Sequence, residues 1–420
     1  MSNDHPFDCV IDNARVVTCA GPGKDAATEL GVVENGAVGI RDGIVAWIGD
    51  RGDDALKNTE QRVDAKGGAL LPGFVDCHTH LAFAGGRVDE FARKMAGEDY
   101  RAISESGGGI ASTVRATRAA SDADLYEATR KRALRMRALG TTTVEVKSGY
   151  GLTLSDELRL LRVGRRLAAE GVVRTTTTFL GAHAVPSERK QDREGYLAEV
   201  RGAMLTAVVA DGLADTCDVY IDDGAFTLAE GRTVLEAAKA LGLRVKAHAG
   251  QFADLGAAEL IASLGGLSAD HLEQASDGAL AAMAKASVTG VLLPGAWSTL
   301  RQTPPDAARF RRAGVPMAVA TDCNPGTSPS LDLPLMAALA VRNAGLTAEE
   351  AVLAITARAG DAIGSPVAGR IALGAPADLV LYADDDPRSI AYALGGLVPR
   401  HVWLGGRLVQ SEAETATWSR

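Results

Sequence analysis

Four histidines and one aspartate that could bind a metal ion stand directly after short apolar segments of the chain. His78 and His80 form a His-x-His pair after the segment LLPGFVD, and His248, His271 and Asp322 follow later segments of the same kind. Because a β-strand alternates its faces, both imidazoles of the pair point to the same side. Imidazole nitrogens and carboxylate oxygens are common ligands of divalent metal ions. A His-x-His pair alone is a weak signal, but the five residues together predict a metal site.

These apolar segments belong to a series of strand candidates that alternates with helical patterns. Such alternation is typical of parallel βα units, and the intervening helical patterns end at glycine, as helices often do. Thr347 and Glu350, after the last candidate, are spaced as a capping box. Eight units predict an α/β protein with a (β/α)8 TIM barrel, whose active site lies at the carboxyl ends of the strands. The eight candidates are LLPGFVD, TTTVEVKS, VRTTTTFL, TCDVYI, LRVKAHA, GLSADH, SVTGVLLP and GVPMAVATD.

Both ends of the chain have a different sequence pattern from the middle, without the alternation of strand and helix candidates. Short β-like segments separated by Gly and Asp occupy the first ~70 residues, and similar segments occur near the C-terminus in GRIALGAPADLVLYA and RHVWLGGRLVQ. We therefore expect the termini to meet in one small discontinuous β-sandwich domain. The predicted division is residues 1–70 and 366–420 for that domain and residues 71–365 for the catalytic barrel.

The composition is that of a globular protein without a general affinity for polyanions. With 420 residues, 46% of them hydrophobic, the chain is long enough for a barrel of about 250 residues and a second domain. Its formal net charge of −9 argues against binding to nucleic acid or anionic membranes. The first residues lack the pattern of a secretory signal, and no apolar stretch approaches the ~20 residues of a membrane span. Five scattered cysteines without a CxxC pair fit a reducing compartment, so we expect a cytoplasmic protein.

The stretch PGFVDCHTH, with its later His, His and Asp residues, resembles the amidohydrolase superfamily, as does GRIALGAPADLVLYADD near the C-terminus. The resemblance implies hydrolysis of a C–N bond by a metal-activated water. Members with two metals often use a lysine on the fourth strand; here that strand, CDVYIDDGAF, has none, and Lys147 and Lys246 lie on other strands. The resemblance therefore implies one divalent or trivalent ion per subunit, zinc or iron. The implied ligands are His78, His80, His248 and Asp322.

The same resemblance suggests how protons would move in such a site. A bound divalent ion lowers the pKa of its water to around 7. By analogy, Asp322 takes the proton of this water and passes it to the leaving nitrogen, while His271 serves as a general acid/base or polarises the carbonyl group. We therefore predict that His271 and Asp322 are the catalytic residues.

Longer stretches of the chain are similar to one family within this superfamily, the imidazolonepropionases. They include HTHLAFAGGRVDEFARKMAGEDY, SGGGIASTVRATRAAS, TTTVEVKSGYGL, TFLGAHAVP, SADHLE, VLLPGAW and ATDCNPGTSP. The similarity implies a homodimer that opens the ring of 4-imidazolone-5-propanoate with water to give N-formimidoyl-L-glutamate in histidine degradation. The substrate carries a carboxylate, which a guanidinium with a hydroxyl nearby binds well. The residues that match the family's substrate-binding positions are Arg87, Tyr100, Tyr150, His183, Gln251, Asn324, Gly326 and Thr327.

Two alternatives stay open at this point. Another amidohydrolase, such as a cyclic amidase or an aminoimidazole or guanine deaminase, would use the same metal residues, but a neutral purine has no carboxylate to meet Arg87 and Tyr100. A barrel that has lost catalysis would lose ligands first, and every implied ligand is present. Gln251 stands where some family members have a glutamate, which leaves the proton route among His271, Asp322 and Gln251 undecided.

Overall fold

The computed structural model describes residues 7–23, 25–98 and 108–411, and its strands fall into two sheets. Within these residues the strands are, in chain order, β1 Phe7–Val17, β2 Val32–Arg41, β3 Ile44–Asp50, β4 Thr59–Asp64, β5 Ala69–Pro72, β6 Phe74–Asp76, β7 Thr141–Lys147, β8 Arg174–Ala182, β9 Thr216–Ile221, β10 Arg244–Ala249, β11 Ser268–His271, β12 Thr289–Leu292, β13 Met317–Val319, β14 Leu379–Leu381, β15 His401–Leu404 and β16 Arg407–Ser411.

The helices lie mainly between the strands of the middle region. Among the residues that the structure describes, each helix is too short or too polar to cross a membrane. The capping box predicted for Thr347 and Glu350 is confirmed at the start of α14 (Ala348–Ala354). The other helices are α1 Ala26–Glu29, α2 Val88–Met95, α3 Ile110–Ala119, α4 Asp122–Ala138, α5 Leu154–Ala169, α6 Arg193–Glu199, α7 Leu205–Ala210, α8 Leu228–Ala240, α9 Ala257–Leu264, α10 Asp277–Ala286, α11 Pro294–Leu300, α12 Ala307–Ala313, α13 Leu333–Leu339, α15 Ala357–Ala362 and α16 Ser389–Tyr392.

Strands β6 to β13 form a parallel barrel in sequence order, which confirms the predicted TIM-barrel fold. The first and last strands meet just beyond their carboxyl ends, where Thr79 and Cys323 form a parallel bridge. There the Asp322 amide donates to the His78 carbonyl at 3.0 Å, and the His80 amide donates to the Cys323 carbonyl at 3.0 Å. The barrel is therefore closed at the residues predicted to bind the metal.

The alternation of side chains along β6 explains why its histidines face the barrel interior. Val75 and Cys77 are fully buried in an outer apolar cluster that includes Ala359 of α15. Asp76 and His78, at the intervening positions, are fully buried among polar groups inside the barrel. The period of two that the His-x-His pair suggested is thus observed in the fold.

The terminal strands form a second, separate sheet in the order β16-β15-β14-β5-β1-β2-β3, with β4 paired to β1. Most of its pairs are antiparallel, and the two ends of the chain meet where Leu379 of β14 stands opposite Pro72 of β5. Ile11, Val38 and Trp403 belong to its buried apolar cluster. The expected small domain built from both termini is therefore present.

The predicted first strand, LLPGFVD, divides between the two sheets. Its first half lies in β5 of the terminal sheet and its second half lies in β6 of the barrel. The chain changes sheets at Gly73, where an added Cβ would lie 2.1 Å from Thr142 Oγ1, so only a glycine fits. The domain boundaries at residues 70/71 and 365/366 stay a prediction.

Candidate active site

A cavity of about 710 Å³ opens at the carboxyl ends of the barrel strands. Most of the predicted site residues line it, although separate loops carry them. Gly326 contacts the Arg87 side chain in its wall, and Tyr100 lies outside the described residues. The predicted residues that line the cavity are His80, Arg87, Tyr150, His183, His248, Gln251, His271, Asp322, Asn324 and Thr327.

The predicted metal ligands converge at the base of this cavity, which is lined by His80, His248 and Asp322 but not by the fully buried His78. His80 Nε2 lies 3.2 Å from His248 Nε2, and Asp322 Oδ1 lies 3.6 Å from both His78 Nε2 and His80 Nε2. His78 Nε2 is buried and has no hydrogen-bond partner within the part of the chain that is described. His78, His80 and Asp322 hold their ligand atoms within 4.8 Å of one another, as do His78, His248 and His271. A buried nitrogen without a partner among such donors fits a metal ion.

Two of these imidazoles bind buried carboxylates through their other nitrogen. His78 Nδ1 lies 2.6 Å from Asp270 Oδ2, and His248 Nδ1 lies 3.0 Å from Asp218 Oδ2. Such a contact orients the ring and leaves Nε2 for a metal. Burial lowers the pKa of both histidines. The rings are therefore neutral and keep the lone pair that metal binding requires.

His271 and Asp322 owe their positions to left-handed backbone at the ends of their strands. Their φ angles are 82° and 49°, a region that costs a non-glycine residue about 1–2 kcal/mol. Asp270 faces the barrel interior, so strict alternation would turn His271 away from it. The turn instead brings the His271 ring to 5.9 Å from the His78 ring.

The local charges around these two residues differ. Burial raises the pKa of Asp322 to about 7. Burial alone would lower the pKa of His271, but the charge and hydrogen bond of Glu273, together with the charges of Asp322 and Asp270, outweigh it and raise that pKa to about 8. Glu273 Oε1 lies 3.4 Å from His271 Nδ1. Glu273, which the sequence did not single out, is therefore the residue that orients the His271 ring.

A set of buried charges lies beneath the predicted metal ligands; sequence reasoning named its two lysines but missed its three carboxylates and the pairing between them. Each has at most 1% of its surface exposed. The sequence did contain a pattern that indicates such charges. Charged or ionisable residues at every second position of an apolar strand, as in VEVK and VKAH, form a row on one face of the strand, which here faces the barrel interior. The set consists of Glu145, Lys147, Asp218, Lys246 and Asp270.

Arg87 reaches the cavity from the residue before α2. Its side chain is 7% exposed, and its Nε donates to Glu90 Oε2 at 2.8 Å. The same Glu90 oxygen accepts a hydrogen bond from the Gly109 amide at 3.1 Å. A Cβ at Gly326 would lie only 2.2 Å from Arg87 Nη1. Arg87 and Gly326, which the sequence predicted as separate site residues, therefore form one close contact.

Asn324 uses its side chain within its own turn. Its Oδ1 accepts hydrogen bonds from the Gly326 and Thr327 amides, both at 2.8 Å, and its Nδ2 donates to the Asp322 carbonyl at 2.7 Å. Asparagine commonly stabilises turns in this way. Asn324 therefore shapes the loop that joins Asp322 to Gly326 and Thr327, and its contact with the substrate stays a prediction.

Asp222, for which the sequence indicated no role, holds the loop that carries Gln251. Its carboxylate accepts hydrogen bonds from the amides of Gln251, Phe252 and Ala253 at 2.7, 3.0 and 2.9 Å. The Gln251 side chain accepts a hydrogen bond from the Tyr220 hydroxyl through Oε1 at 2.8 Å. Tyr220, another residue that sequence reasoning missed, thus orients the Gln251 amide in the cavity.

Tyr150 and His183 form an aromatic wall beside the metal donors. The His183 ring stacks on the His80 ring with a centroid distance of 4.9 Å, and the Tyr150 ring lies 5.3 Å from His183. Burial lowers the pKa of His183 to about 3, so its ring is neutral. His183 Nδ1 contacts the Gly149 carbonyl at 2.9 Å and donates to it. The other nitrogen, Nε2, is then an acceptor.

Comparison with known proteins identifies the family. The sequence model of the amidohydrolase family matches residues 69–409. A protein named imidazolonepropionase from Ralstonia nicotianae is 47% identical over 395 residues, which cover 93% of this chain and 96% of that protein. Another of that name, from Stenotrophomonas maltophilia, is 43% identical over 420 residues, which cover 98% of this chain and 99% of its own. The chain belongs to the imidazolonepropionase family of amidohydrolases.

Solved structures of more distant proteins share the fold of this family member. An adenosine deaminase from Xanthomonas campestris with bound zinc has a TM-score of 0.73 at 20% identity, with 98% of this chain and 95% of that chain covered. A 5-methylcytosine deaminase from Klebsiella pneumoniae has a TM-score of 0.71 at 15% identity, with 97% and 99% covered. At such identities the likeness concerns the fold alone.

Proposed function

We propose that the chain hydrolyses the ring C–N bond of 4-imidazolone-5-propanoate to N-formimidoyl-L-glutamate, a step of histidine degradation. The observation that carries this proposal is a buried arginine in the same cavity as the predicted metal ligands. Arg87 suits the carboxylate of this substrate, whereas a neutral nucleobase has no carboxylate to pair with the guanidinium. Membership of the imidazolonepropionase family supports the same reaction.

The proposed cofactor is one zinc or iron ion per subunit. The buried His78 Nε2 without a partner and the neutral rings around it suit such an ion. When bound, the ion supplies a water that is activated near neutral pH. The residues that would hold it are His78, His80, His248 and Asp322.

We assign the proton transfers to Asp322 and His271. Asp322 accepts a proton from the attacking water, whose oxygen forms a bond to the ring carbonyl carbon. The C–N bond then breaks, and the proton held by Asp322 passes to the leaving nitrogen. His271 donates a hydrogen bond to the carbonyl oxygen as negative charge develops on it. The second proton of the attacking water remains on the new carboxyl group, which releases it to solvent.

The rest of the cavity is assigned to substrate binding. Arg87 binds the propionate, with Tyr100 and Thr327 as hydroxyl donors, and Gly326 leaves room for the guanidinium. Asn324 holds the loop between the two ends of the site. The residues proposed to contact the ring are Tyr150, His183 and Gln251.

We also propose a cytoplasmic homodimer. The five cysteines are free and buried, which suits a reducing compartment. The dimer is an expectation from the family. Light scattering of the purified protein would test it, and a monomeric mass at micromolar concentration would exclude it.

The decisive experiment follows the loss of ultraviolet absorbance of freshly made 4-imidazolone-5-propanoate, with the metal content of each sample measured. Wild type is compared with Arg87→Ala and with Arg118→Ala. Arg118 lines the same cavity and, like Arg87, pairs with a glutamate, but its side chain is 25% exposed, whereas that of Arg87 is 7% exposed. We expect Arg87→Ala to lose at least about 30-fold in kcat/KM, because it removes one partner of a desolvated charge pair, and Arg118→Ala to lose little.

The proposal fails if fully metallated wild type leaves this compound intact. Guanine and cyclic amides are tested in parallel, and rapid turnover of either would favour a deaminase or a cyclic amidase with the same metal ligands. Equal losses in the two arginine variants would remove Arg87 as the specific carboxylate anchor.

A further inference from the structure

A row of five charged side chains lies inside the barrel beneath the metal donors, and the proposed mechanism does not use it. Barrels of this kind usually fill such layers with apolar side chains. Burying charges is costly unless they are paired and hydrogen-bonded. The contribution of these side chains to folding alone therefore does not explain why charged rather than apolar residues occupy this layer. Its members are the carboxylates of Glu145, Asp218 and Asp270 and the ammonium groups of Lys147 and Lys246.

Lys147 stands behind His248. Its Nζ lies 2.6 Å from Asp218 Oδ2 and 2.9 Å from Glu145 Oε2. Asp218 in turn contacts His248 twice, through Nδ1 of the ring at 3.0 Å and through the backbone amide at 3.2 Å. One lysine thus connects the strand that carries it, β7, to the orientation of an imidazole on β10.

Lys246 stands behind His78. Its Nζ lies 3.0 Å from Asp270 Oδ2, the oxygen that His78 Nδ1 contacts at 2.6 Å. It also donates to the Cys77 carbonyl at 3.0 Å, so it holds the backbone next to His78. Glu145 Oε1, at 3.2 Å, joins Lys246 to the same row as Lys147.

We propose that Lys147 and Lys246 are positioning residues of the metal centre. Lys147 orients His248 through Asp218, and Lys246 orients His78 through Asp270 and the Cys77 carbonyl. A hydrogen bond from the other ring nitrogen to a well-held carboxylate fixes the orientation in which an imidazole offers its lone pair to a metal. The inference rests on the proposed metal site but not on the proposed substrate.

The metal affinity of a Lys→Met variant distinguishes a positioning role of the lysines from a purely electrostatic one, because the two roles predict changes in opposite directions. The three carboxylates and two ammonium groups carry a formal charge of −1, and removal of one ammonium makes it −2. If the lysines acted only through their charge, a Lys→Met variant would bind a cation more tightly. If they position the ligands, the same variant binds the cation more weakly, because the carboxylate behind the imidazole is no longer held.

The test is a zinc titration of metal-free wild type, Lys147→Met and Lys246→Met against a chromophoric chelator, without substrate. We expect each variant to bind Zn²⁺ about 10- to 100-fold more weakly, and the visible spectrum of the Co²⁺-loaded form to change. Arg311→Met is the matched control. It removes the long cation that pairs with Glu350 at 2.6 Å, outside the site, and should leave zinc affinity unchanged.

A double variant separates positioning from folding. Lys147→Met with Asp218→Asn removes both members of a pair, so it should recover the thermal stability lost in Lys147→Met, while zinc affinity stays at least 10-fold below wild type. Wild-type or tighter zinc binding in either single variant, or full recovery of affinity in the double variant, would overturn the inference. Failure of both Lys147 variants to fold would assign the pair to folding and overturn it as well.

Discussion

Replacing Gly326 with alanine should displace the Arg87 guanidinium without unfolding the protein. An ideal Cβ at residue 326 would lie 2.2 Å from Arg87 Nη1 and 2.8 Å from Arg87 Cζ. Non-bonded heavy atoms prefer separations of about 3.5 Å, so the guanidinium must withdraw by roughly 1 Å. The φ angle of Gly326 is outside the left-handed region, so alanine itself adopts this backbone. The strain is therefore relieved by the arginine side chain and not by the fold.

The size of the effect follows from the bond that Arg87 would lose. A shift of about 1 Å takes an N–H···O contact from ~2.9 Å beyond the limit of a hydrogen bond. A hydrogen bond to a charged group contributes about 1.5–3 kcal/mol, which corresponds to about 10- to 150-fold in kcat/KM. In the proposed binding mode, the carboxylate is remote from the reacting carbon and is held equally before and during the reaction. The loss should therefore appear in KM, with kcat changed by less than about threefold.

The assay is steady-state hydrolysis of 4-imidazolone-5-propanoate, with thermal unfolding measured on the same samples. Gly86→Ala is the matched control, because an added Cβ there meets no heavy atom within 4 Å although Arg87 is the next residue. We expect both variants to unfold at or slightly above the wild-type temperature, and only Gly326→Ala to raise KM. An unchanged KM, or a loss of stability in Gly326→Ala alone, would refute the reasoning.

Three further outcomes are expected. Dialysis against a chelator should abolish hydrolysis, and zinc or iron alone should restore it; activity in verified metal-free protein would exclude the metal. Tyr220→Phe removes the donor to Gln251 Oε1 and should lower kcat/KM about 5- to 10-fold; an unchanged value would exclude this role. The Arg193 guanidinium lowers the pKa of Glu230 to about 2. The ionised carboxylate therefore stabilises the fold above about pH 4.5, and this stabilisation is lost as the pH falls towards 2. The free energy of unfolding of Glu230→Gln should be about 1 kcal/mol lower than that of wild type at pH 7 and equal to it at pH 2.

The barrel was predictable because its signals repeat along the chain. Eight apolar segments, each followed by a helical pattern, admit few arrangements other than a closed parallel sheet. The passage from the terminal sheet to the barrel at Gly73 was not predictable in this way. The apolar run LLPGFVD shows no change of pattern there, and the need for glycine comes from Thr142, which is distant in sequence.

Within the site, residues on regular strand positions were easier to predict than those on turns. His78 and His80 follow from a period of two along one strand, whereas the inward direction of His271 depends on a left-handed backbone that composition does not indicate. Asp218 and Asp270 were missed because their role exists only after different strands bring them to the imidazoles. Their partners on other strands could be inferred only from the folded structure.

If Asp322 binds the metal and Arg87 binds the carboxylate, as proposed, one loop connects these two ends of the site, and this connection limits how the substrate specificity could change. Asp322 begins the loop among the metal donors, and Gly326 ends it against the Arg87 guanidinium. Between them, Asn324 is bonded to the Asp322 carbonyl and to the Gly326 and Thr327 amides, so the separation of the two ends is set within a single turn. A substrate with a longer or shorter acid chain would require this turn to change, and Asp322 would move with it. Under the proposed assignments, the length of the acid chain and the geometry of the metal site are therefore constrained by the same few hydrogen bonds.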